Sequence, residues 1–165
     1  MTTPSRTAPT SRTVPASGSA PTASTATSAL PPEGLSATLR VRISAGDVHY
    51  GGDLVPGARV LELFGDVATE LTIRTDSDEG LLTGYADVSF TAPVHAGDFL
   101  EVTGTIRRHT RLRRTIAFEA RKVIAARYQD GASSAAVLSE SQVVCRATGT
   151  SVVPMAKAQA ARHAG

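Results

Sequence analysis

The stretch VPGARVLELFGDVATELTIR, residues 55–74, predicts one long helix around which the rest of the chain must fold. Its apolar residues recur at the three- and four-residue spacing of an amphipathic helix. Pro56 is expected in the first turn, where a missing N–H group costs nothing. The polar segment 75–80, which closes on Gly80, is expected to end the helix. The predicted core positions are Val60, Leu61, Phe64, Val67, Ala68 and Leu71.

The segments on either side of this helix alternate apolar and polar residues, which predicts β-strands. One strand, residues 39–43, precedes the helix, and a basic hairpin tip is expected at 107–114. One helix cannot cover such a sheet unless the sheet curls around it, so the expected architecture is α+β, with a curved antiparallel sheet wrapped around one central helix. So small a core usually completes its sheet by association, which predicts at least a homodimer. The strands expected after the helix are 81–90, 99–106, 115–126 and 142–153.

Composition divides the 165 residues into one domain and two tails. Residues 1–34 are almost entirely Ser, Thr, Pro, Ala and Gly, and such a segment buries too little apolar surface to offset its ordering entropy. We therefore expect a disordered tail over 1–34, one domain over 35–154, and a flexible C-terminal tail over 155–165. The first tail lacks the apolar run of a secretory signal, although its Arg, Ser and Thr content leaves a transit peptide open.

Charge and cysteine content argue against several classes of protein. A net charge of +2 is too mild to predict nucleic-acid binding, and no apolar run is long enough to span a membrane. The single cysteine, Cys145, cannot form an intrachain disulfide and fits a reducing compartment, so a cytoplasmic location is expected. Neither metal-ligand spacing nor a nucleotide-binding fingerprint is present. We expect no metal, no cofactor, no nucleic-acid partner and no membrane partner.

The segment before the helix, DVHYGGDL at residues 47–54, predicts a binding site. Backbone N–H groups and the positive dipole end at a helix N-terminus suit an anionic or carbonyl ligand. His49 has an intrinsic pKa of about 6.5, suited to proton transfer, and Asp47 could orient it. Glu62 and Asp66 lie four residues apart on one helix face. A sheet wrapped around the helix would shield that face and raise the pKa of at least one acid. The alternatives are that the two acids form an ordinary solvated face and that His49, as a lone loop histidine, has a structural role.

Longer motifs resemble a known family. FTAPVHAGDFLE, residues 90–101, is similar to the F-x-x-P-V-x-x-G-D strand–turn–strand motif of the hotdog-fold acyl-CoA thioesterases and dehydratases. DVHYGGDLV at 47–55, GAR at 57–59, FGDVATEL at 64–71 and FEARKV at 118–123 together resemble the β-aminoacyl-CoA ammonia-lyases. Asp53 stands where the pattern of that family has asparagine. The resemblance covers residues 35–153.

This resemblance implies a hotdog fold and a carbon–nitrogen lyase of amino acid metabolism that eliminates ammonia reversibly from a 3-aminoacyl-CoA, such as 3-aminobutyryl-CoA or β-alanyl-CoA. That reaction needs a base for the proton next to the thioester, a donor to the thioester oxygen, and a site for the departing amine. An acyl-CoA thioesterase is the alternative enzyme, and an acyl-CoA-sensing module is the non-enzymatic alternative. Coenzyme A would enter only as part of the substrate.

The residues expected to carry this chemistry fall into two sets. Glu62 or Asp66, together with His49, forms the expected acid–base pair. The backbone of residues 51–54, called the glycine loop below, is the expected oxyanion donor. Arginines of the hairpin are expected to bind the phosphates of CoA, with a solvated hairpin tip as the alternative. The expected catalytic residues are Asp47, His49, Glu62 and Asp66. The expected substrate-binding residues are Tyr50, Gly51, Gly52, Asp53, Leu54, Arg108 and Arg111. Structural or exposed roles are expected for Tyr85, His95, His109, His163 and the thiol of Cys145.

Overall fold

The computed structural model describes residues 33–154, which form one α-helix and five β-strands. Two short 3₁₀ helices, Ala45–Asp47 and Tyr128–Asp130, lie in the loops. The predicted tails lie outside the described residues, except for Glu33 and Gly34. The elements in chain order are β1 (Ser36–Arg42), α1 (Gly57–Asp76), β2 (Leu81–Phe90), β3 (Phe99–His109), β4 (Arg113–Ala126) and β5 (Ala135–Val152).

The strands form a single antiparallel sheet in the order β1-β3-β4-β5-β2. β3, β4 and β5 are joined in sequence and occupy the centre, while β1 and β2 form the two edges. Arg42 at the end of β1 pairs with Phe99 at the start of β3, and Phe90 at the end of β2 pairs with Cys145 of β5. The end of β1, the end of β2 and the start of β3 therefore share one end of the sheet, where α1 also begins.

The helix packs against all five strands, which a flat sheet would not permit. Register shifts in β2, β3 and β4 supply the bulges that curve a sheet. The Phe64 ring of α1 stacks on Phe118 of β4 at 5.0 Å between centroids. A Cβ on Gly104 of β3 would lie 2.7 Å from a Val67 methyl carbon, so glycine lets the helix approach the strand closely. The buried helix residues are Val60, Leu63, Phe64, Val67, Ala68, Leu71 and Thr72, which confirms the predicted apolar face except for the partly buried Leu61.

The boundaries of α1 differ from the prediction by two residues at each end. Pro56 is the N-cap, with ψ of 145°, and lies just outside the helix rather than in its first turn. The N–H of Val55 donates to the carbonyl of Val94 at 2.9 Å, which holds the chain extended up to Pro56. At the other end Ser77 takes the left-handed conformation, with φ of 52°, and its N–H caps the carbonyl of Ile73.

Several predicted strand boundaries are wrong. β1 begins at Ser36, three residues before the predicted start. The basic hairpin tip is only residues 110–112, because His109 already pairs with Arg114 and the N–H of Thr110 donates to the carbonyl of Arg113. β5 begins at Ala135 instead of residue 142, since Ala135 pairs with the last residue of β4. This added arm is largely solvent-exposed, with Val137 80% exposed, so no buried face marks it in the sequence.

A buried ion pair anchors the turn between β2 and β3. Nζ of Lys122 lies 2.8 Å from Oδ2 of Asp98 and donates to the carbonyl of Pro93 at 2.9 Å. The Asp98 carboxylate also accepts the N–H groups of His95 and Ala126, each at 2.9 Å. Each buried charge thus has several partners, as burial of a charge requires. The ion pair fixes a turn that lines the cavity described next.

Candidate functional site

A cavity of about 580 Å³ opens where α1 begins. Its floor is apolar, because Val60, Val94 and Val144 are all buried. Its mouth carries two aromatic side chains, Tyr50 at 53% exposure and Phe90 at 54%. An apolar floor beneath an aromatic rim suits a small organic ligand.

The first turn of α1 faces this cavity without a side-chain cap. Pro56 at the N-cap makes no capping hydrogen bond, so the first N–H groups of the helix have no side-chain acceptor. Gly57 and Val60 line the cavity, and a Cβ on Gly57 would lie 2.5 Å from the Phe90 ring. The positive end of the helix dipole is therefore directed at this cavity, where it favours an anionic or carbonyl group.

The glycine loop folds back on itself beside the helix start. The N–H groups of His49 and Tyr50 both donate to the carbonyl of Leu54, at 3.2 and 3.1 Å. Gly52 and Asp53 close the turn in the left-handed region, with φ of 71° and 57°. Within residues 33–154 the N–H groups of Gly51, Gly52 and Asp53 meet no acceptor. The loop thus presents three backbone N–H donors that no acceptor in residues 33–154 occupies.

Arg59 ties two of the predicted acids together. Its Nε lies 3.0 Å from Oδ1 of Asp47, and its Nη1 lies 2.9 Å from Oε2 of Glu62. The other Asp47 oxygen accepts the N–H of Ser44 at 2.9 Å. No role for Arg59 was predicted from the sequence, although its three-residue spacing from Glu62 is typical of a helix ion pair.

His49 stands at the loop without the partner expected for it. Its ring meets Tyr50 edge-on, with 4.7 Å between centroids and 82° between planes. The carboxylate of Asp47 is held by Arg59 and Ser44 instead of by the imidazole. Among the described residues the imidazole nitrogens make no hydrogen bond, so they are open to a ligand.

The helix face that carries Glu62 and Asp66 is exposed, so the expectation that the sheet would shield it is wrong for this chain. The physical reason is that β2 lies at an edge and leaves that side of α1 open. Asp66 lies near Tyr85 of β2, whose hydroxyl donates to the carbonyl of Leu61 at 2.5 Å. Burial raises the pKa of Tyr85 to about 12, and the Asp66 charge adds to that shift. Tyr85 therefore remains a donor at neutral pH.

The two predicted phosphate-binding arginines lie at the opposite end of the helix from the glycine loop. Arg108 and Arg111 are exposed at the β3–β4 hairpin, where α1 ends. The 20 residues of α1 span about 30 Å at the usual helical rise. Within one chain the structure does not bring these arginines to the residues at 47–54.

Metal ligands, membrane-spanning helices and a reactive thiol are the other features that could give residues 33–154 a function. There, no group of three His, Cys, Asp or Glu side chains is placed to hold a metal ion. None of the helices in this range is both long enough and apolar enough to cross a membrane. Burial raises the pKa of the Cys145 thiol to about 11, so it stays protonated inside the core.

Comparison with known proteins finds two ammonia lyases among the similar chains. The 3-aminobutyryl-CoA ammonia lyase of Acetoanaerobium sticklandii is 54% identical over 123 residues, which cover 74% of this chain and 98% of that protein. The structure of β-alanyl-CoA:ammonia lyase from Clostridium propionicum is 36% identical with a TM-score of 0.71, covering 75% of this chain and 88% of that one. No family model matches the sequence.

Hotdog-fold hydrolases share the architecture at much lower identity. A hexameric thioesterase from Yersinia pestis is 16% identical with a TM-score of 0.58, covering 75% of this chain and 90% of that one. An acyl-CoA hydrolase from Staphylococcus aureus is 10% identical with a TM-score of 0.57, covering 72% and 65%. At these identities the likeness concerns the fold alone, and it confirms the predicted hotdog architecture.

Proposed function

The chain belongs to the β-aminoacyl-CoA ammonia-lyase family, and from this premise we propose that it is a carbon–nitrogen lyase that eliminates ammonia reversibly from a 3-aminoacyl-CoA. The observation that carries this function is the 54% identity to a 3-aminobutyryl-CoA ammonia lyase across 98% of that protein. Conversion of 3-aminobutyryl-CoA to crotonyl-CoA is the representative reaction. The thioesterases share only the fold with this chain, so their reaction is not carried over.

The reaction sets the requirements for the site. A base removes the C2 proton, the electron pair forms the C2–C3 double bond, and the C3–N bond breaks to release ammonia from the ammonium form of the substrate. The released ammonia then takes up the proton that the base holds. Charge passes through the thioester oxygen as an enolate, which the unpaired N–H groups of Gly51 and Gly52 and the uncapped start of α1 are proposed to stabilise.

Of the predicted acid–base groups, His49 is our first choice as the base. Its imidazole is unpaired within the described residues and sits in the loop that forms the cavity mouth. Glu62 is ion-paired to Arg59, and Asp66 lies nine residues along α1 from Gly57, about 14 Å by helical rise. We propose that Asp47 acts through Arg59 to hold the loop on the helix start, and that Asp66 serves as the alternative base.

A two-channel assay tests this function. Crotonyl-CoA and ammonium are mixed with the protein, and enoyl-CoA absorbance and free thiol are followed together. Loss of absorbance without thiol release is the expected result. Release of thiol would replace the lyase by a thioesterase, and binding of crotonyl-CoA with neither change would replace it by an acyl-CoA-binding module.

We also propose that the protein is a homodimer or a larger homo-oligomer. β2 is an edge strand, so one side of its backbone has no strand partner in the described chain. It carries exposed apolar side chains, with Leu81 at 66%, Val88 at 39% and Phe90 at 54% exposure. Exposed edges with apolar side chains are surfaces that proteins usually cover. A second copy at β2 would also lie beside Phe90 at the cavity mouth.

We make two further proposals, on location and on cofactor requirement. A cytoplasmic location is supported by the free, buried thiol of Cys145, and cell fractionation tests it. The elimination needs only groups that the chain itself carries, so we propose that it runs without a metal or other cofactor. Full activity after dialysis against a chelator is the expected result, and activity restored only by an added metal would contradict it.

A further inference from the structure

A second cavity, of about 300 Å³, opens at the same end of the sheet as the candidate site. It lies on the face of the sheet that is turned away from α1. Arg42 of β1 and Phe99 of β3 are paired there, while the next residues along each strand are more buried and point to the helix. Tyr128 forms another wall, and Ser133 and Ser134 line its rim. Its volume is at the lower end for a small-molecule site.

Glycine at position 97 makes this cavity possible. A Cβ there would lie 2.2 Å from the Tyr128 hydroxyl oxygen and 3.0 Å from the Cβ of Ala126. Gly97 is buried and has φ of 89°, a conformation that other residues rarely adopt. The neighbouring Asp98 carboxylate holds the N–H of Ala126, which fixes the start of the loop that carries Tyr128. The ring is therefore seated by the fold, yet it is 42% exposed.

The groups in this wall suit an adenine nucleotide. No carboxylate lines the cavity, and within residues 33–154 the Arg42 guanidinium is in no ion pair. The acids nearby are Asp53, which lines two adjoining cavities, and Asp130 of the Tyr128 loop. Asp98 also lies beside the cavity, but its buried carboxylate is paired with Lys122. Aromatic rings provide stacking surfaces for a base, and a guanidinium pairs well with phosphate. This cavity offers the rings of Phe99 and Tyr128 for stacking and the guanidinium of Arg42 for a phosphate.

We propose that this cavity binds the adenosine 3′-phosphate end of the CoA thioester, an inference that rests on the proposed function. Adjoining cavities of about 370 and 290 Å³ share Tyr128 with it and reach Gly52 and Asp53. A continuous surface thus leads from the nucleotide cavity to the glycine loop, where the thioester is proposed to react. Arg42 then takes the phosphate-binding role that the sequence suggested for Arg108 and Arg111, which lie at the far end of α1.

Paired substrates isolate the phosphate contact. Steady-state kinetics with ammonium are measured for crotonyl-CoA and for crotonyl-3′-dephospho-CoA. Arg42→Ala should raise KM for crotonyl-CoA about tenfold, the size expected for one charge-assisted hydrogen bond. It should leave kcat unchanged and KM for the dephospho substrate within about twofold of wild type. Tyr128→Ala should raise KM for both substrates, because stacking on the base does not involve the 3′-phosphate.

Matched variants show whether the effect is specific. Arg40→Ala removes an exposed arginine from the same face of β1, outside the cavity, and should change neither KM. The proposal is overturned if Arg42→Ala affects both substrates equally or neither. It is also overturned if Arg108→Ala or Arg111→Ala produces the phosphate-dependent loss instead.

Calorimetry with adenosine 3′,5′-bisphosphate separates this proposal from the lyase function. The wild-type protein should bind it about tenfold more tightly than Arg42→Ala, whether or not any thioester is consumed. Binding without turnover would reject the lyase and keep the nucleotide site. Turnover with equal binding by both proteins would keep the lyase and reject the site.

Discussion

Single residues decide which of the predicted catalytic groups are available. Arg59 contacts Asp47 and Glu62, so two of the four predicted catalytic side chains are held in ion pairs. His49 remains unpaired and contacts Tyr50, whose side chain lies at the mouth of the apolar cavity. A free imidazole next to paired carboxylates favours histidine as the group that moves the proton at neutral pH.

Replacing the His49 imidazole is expected to reduce turnover with little loss of stability. His49→Ala should lower kcat about 10²- to 10⁴-fold, the usual contribution of a general base. Its stability should change little, because the side chain that is removed is exposed. The measurement is kcat over pH 5.5–9, with thermal unfolding as the check on folding. His109→Gln, at the other end of the chain's helix, controls for loss of an imidazole and should keep wild-type kcat. Unchanged turnover in His49→Ala would leave Asp66 as the base.

Among the elements, the β3–β4 hairpin holds the end of α1 in place. Arg114 of β4 is buried, at 1% exposure, and pairs with the carboxylate of Asp76 at the last turn of the helix. The ring nitrogens of His109 on β3 are buried and have no partner within residues 33–154. Burial lowers the pKa of His109, and the Arg114 charge lowers it further, whereas Asp76 and Glu33 act in the opposite direction. The hairpin therefore packs a neutral imidazole against the buried guanidinium.

This hairpin should make the folded protein sensitive to mild acid. The unfolded chain protonates His109 at its ordinary pKa of about 6.5, whereas the folded chain does so only at a lower pH. The free energy of unfolding should therefore be highest above that range and fall as the pH drops below it, because the unfolded state binds the proton first. Urea unfolding from pH 7.5 to 5 should show a smaller loss in His109→Gln than in wild type. Equal losses would show that His109 does not titrate differently in the two states.

At the scale of the whole molecule, the sheet has two edges, and only one of them borders the candidate site. β2 lies at that edge and ends at Phe90, whose ring covers the first residue of α1. The opposite edge, β1, carries mostly polar side chains on its outer face. Association through β2 would thus cover apolar surface and narrow the cavity mouth in one step.

Charge placed on β2 should disrupt the oligomer. Val88→Lys puts a charge on the apolar edge and should shift the protein toward the monomer mass at a fixed concentration, because the ammonium group would lose its hydration in the interface. Val137→Lys is the matched control, since Val137 is 80% exposed on the arm at 135–141, which lies away from β2 in the chain. Light scattering after size-exclusion chromatography measures both. An unchanged mass for Val88→Lys would place the interface elsewhere.

Local pattern was enough to predict the elements of this fold. The helix, the five strands and the motif at 90–101 were all visible in the sequence, because helical and strand periodicity depends on neighbouring residues. The arm at 135–141 was missed because it packs against no core. The prediction that the sheet shields the helix face of Glu62 and Asp66 was wrong, because the strand order places β2 at an edge.

By itself the sequence determined the hotdog architecture, the family and the loop at 47–54 as a candidate site. Only the tertiary structure decided which groups meet: Arg59 with Asp47, Phe90 on Gly57, and Arg42 with Phe99 and Tyr128. These contacts join residues from different elements, some more than 80 positions apart in the chain. Periodicity cannot encode them, because they depend on strand order and register, which arise when the sheet closes around its helix.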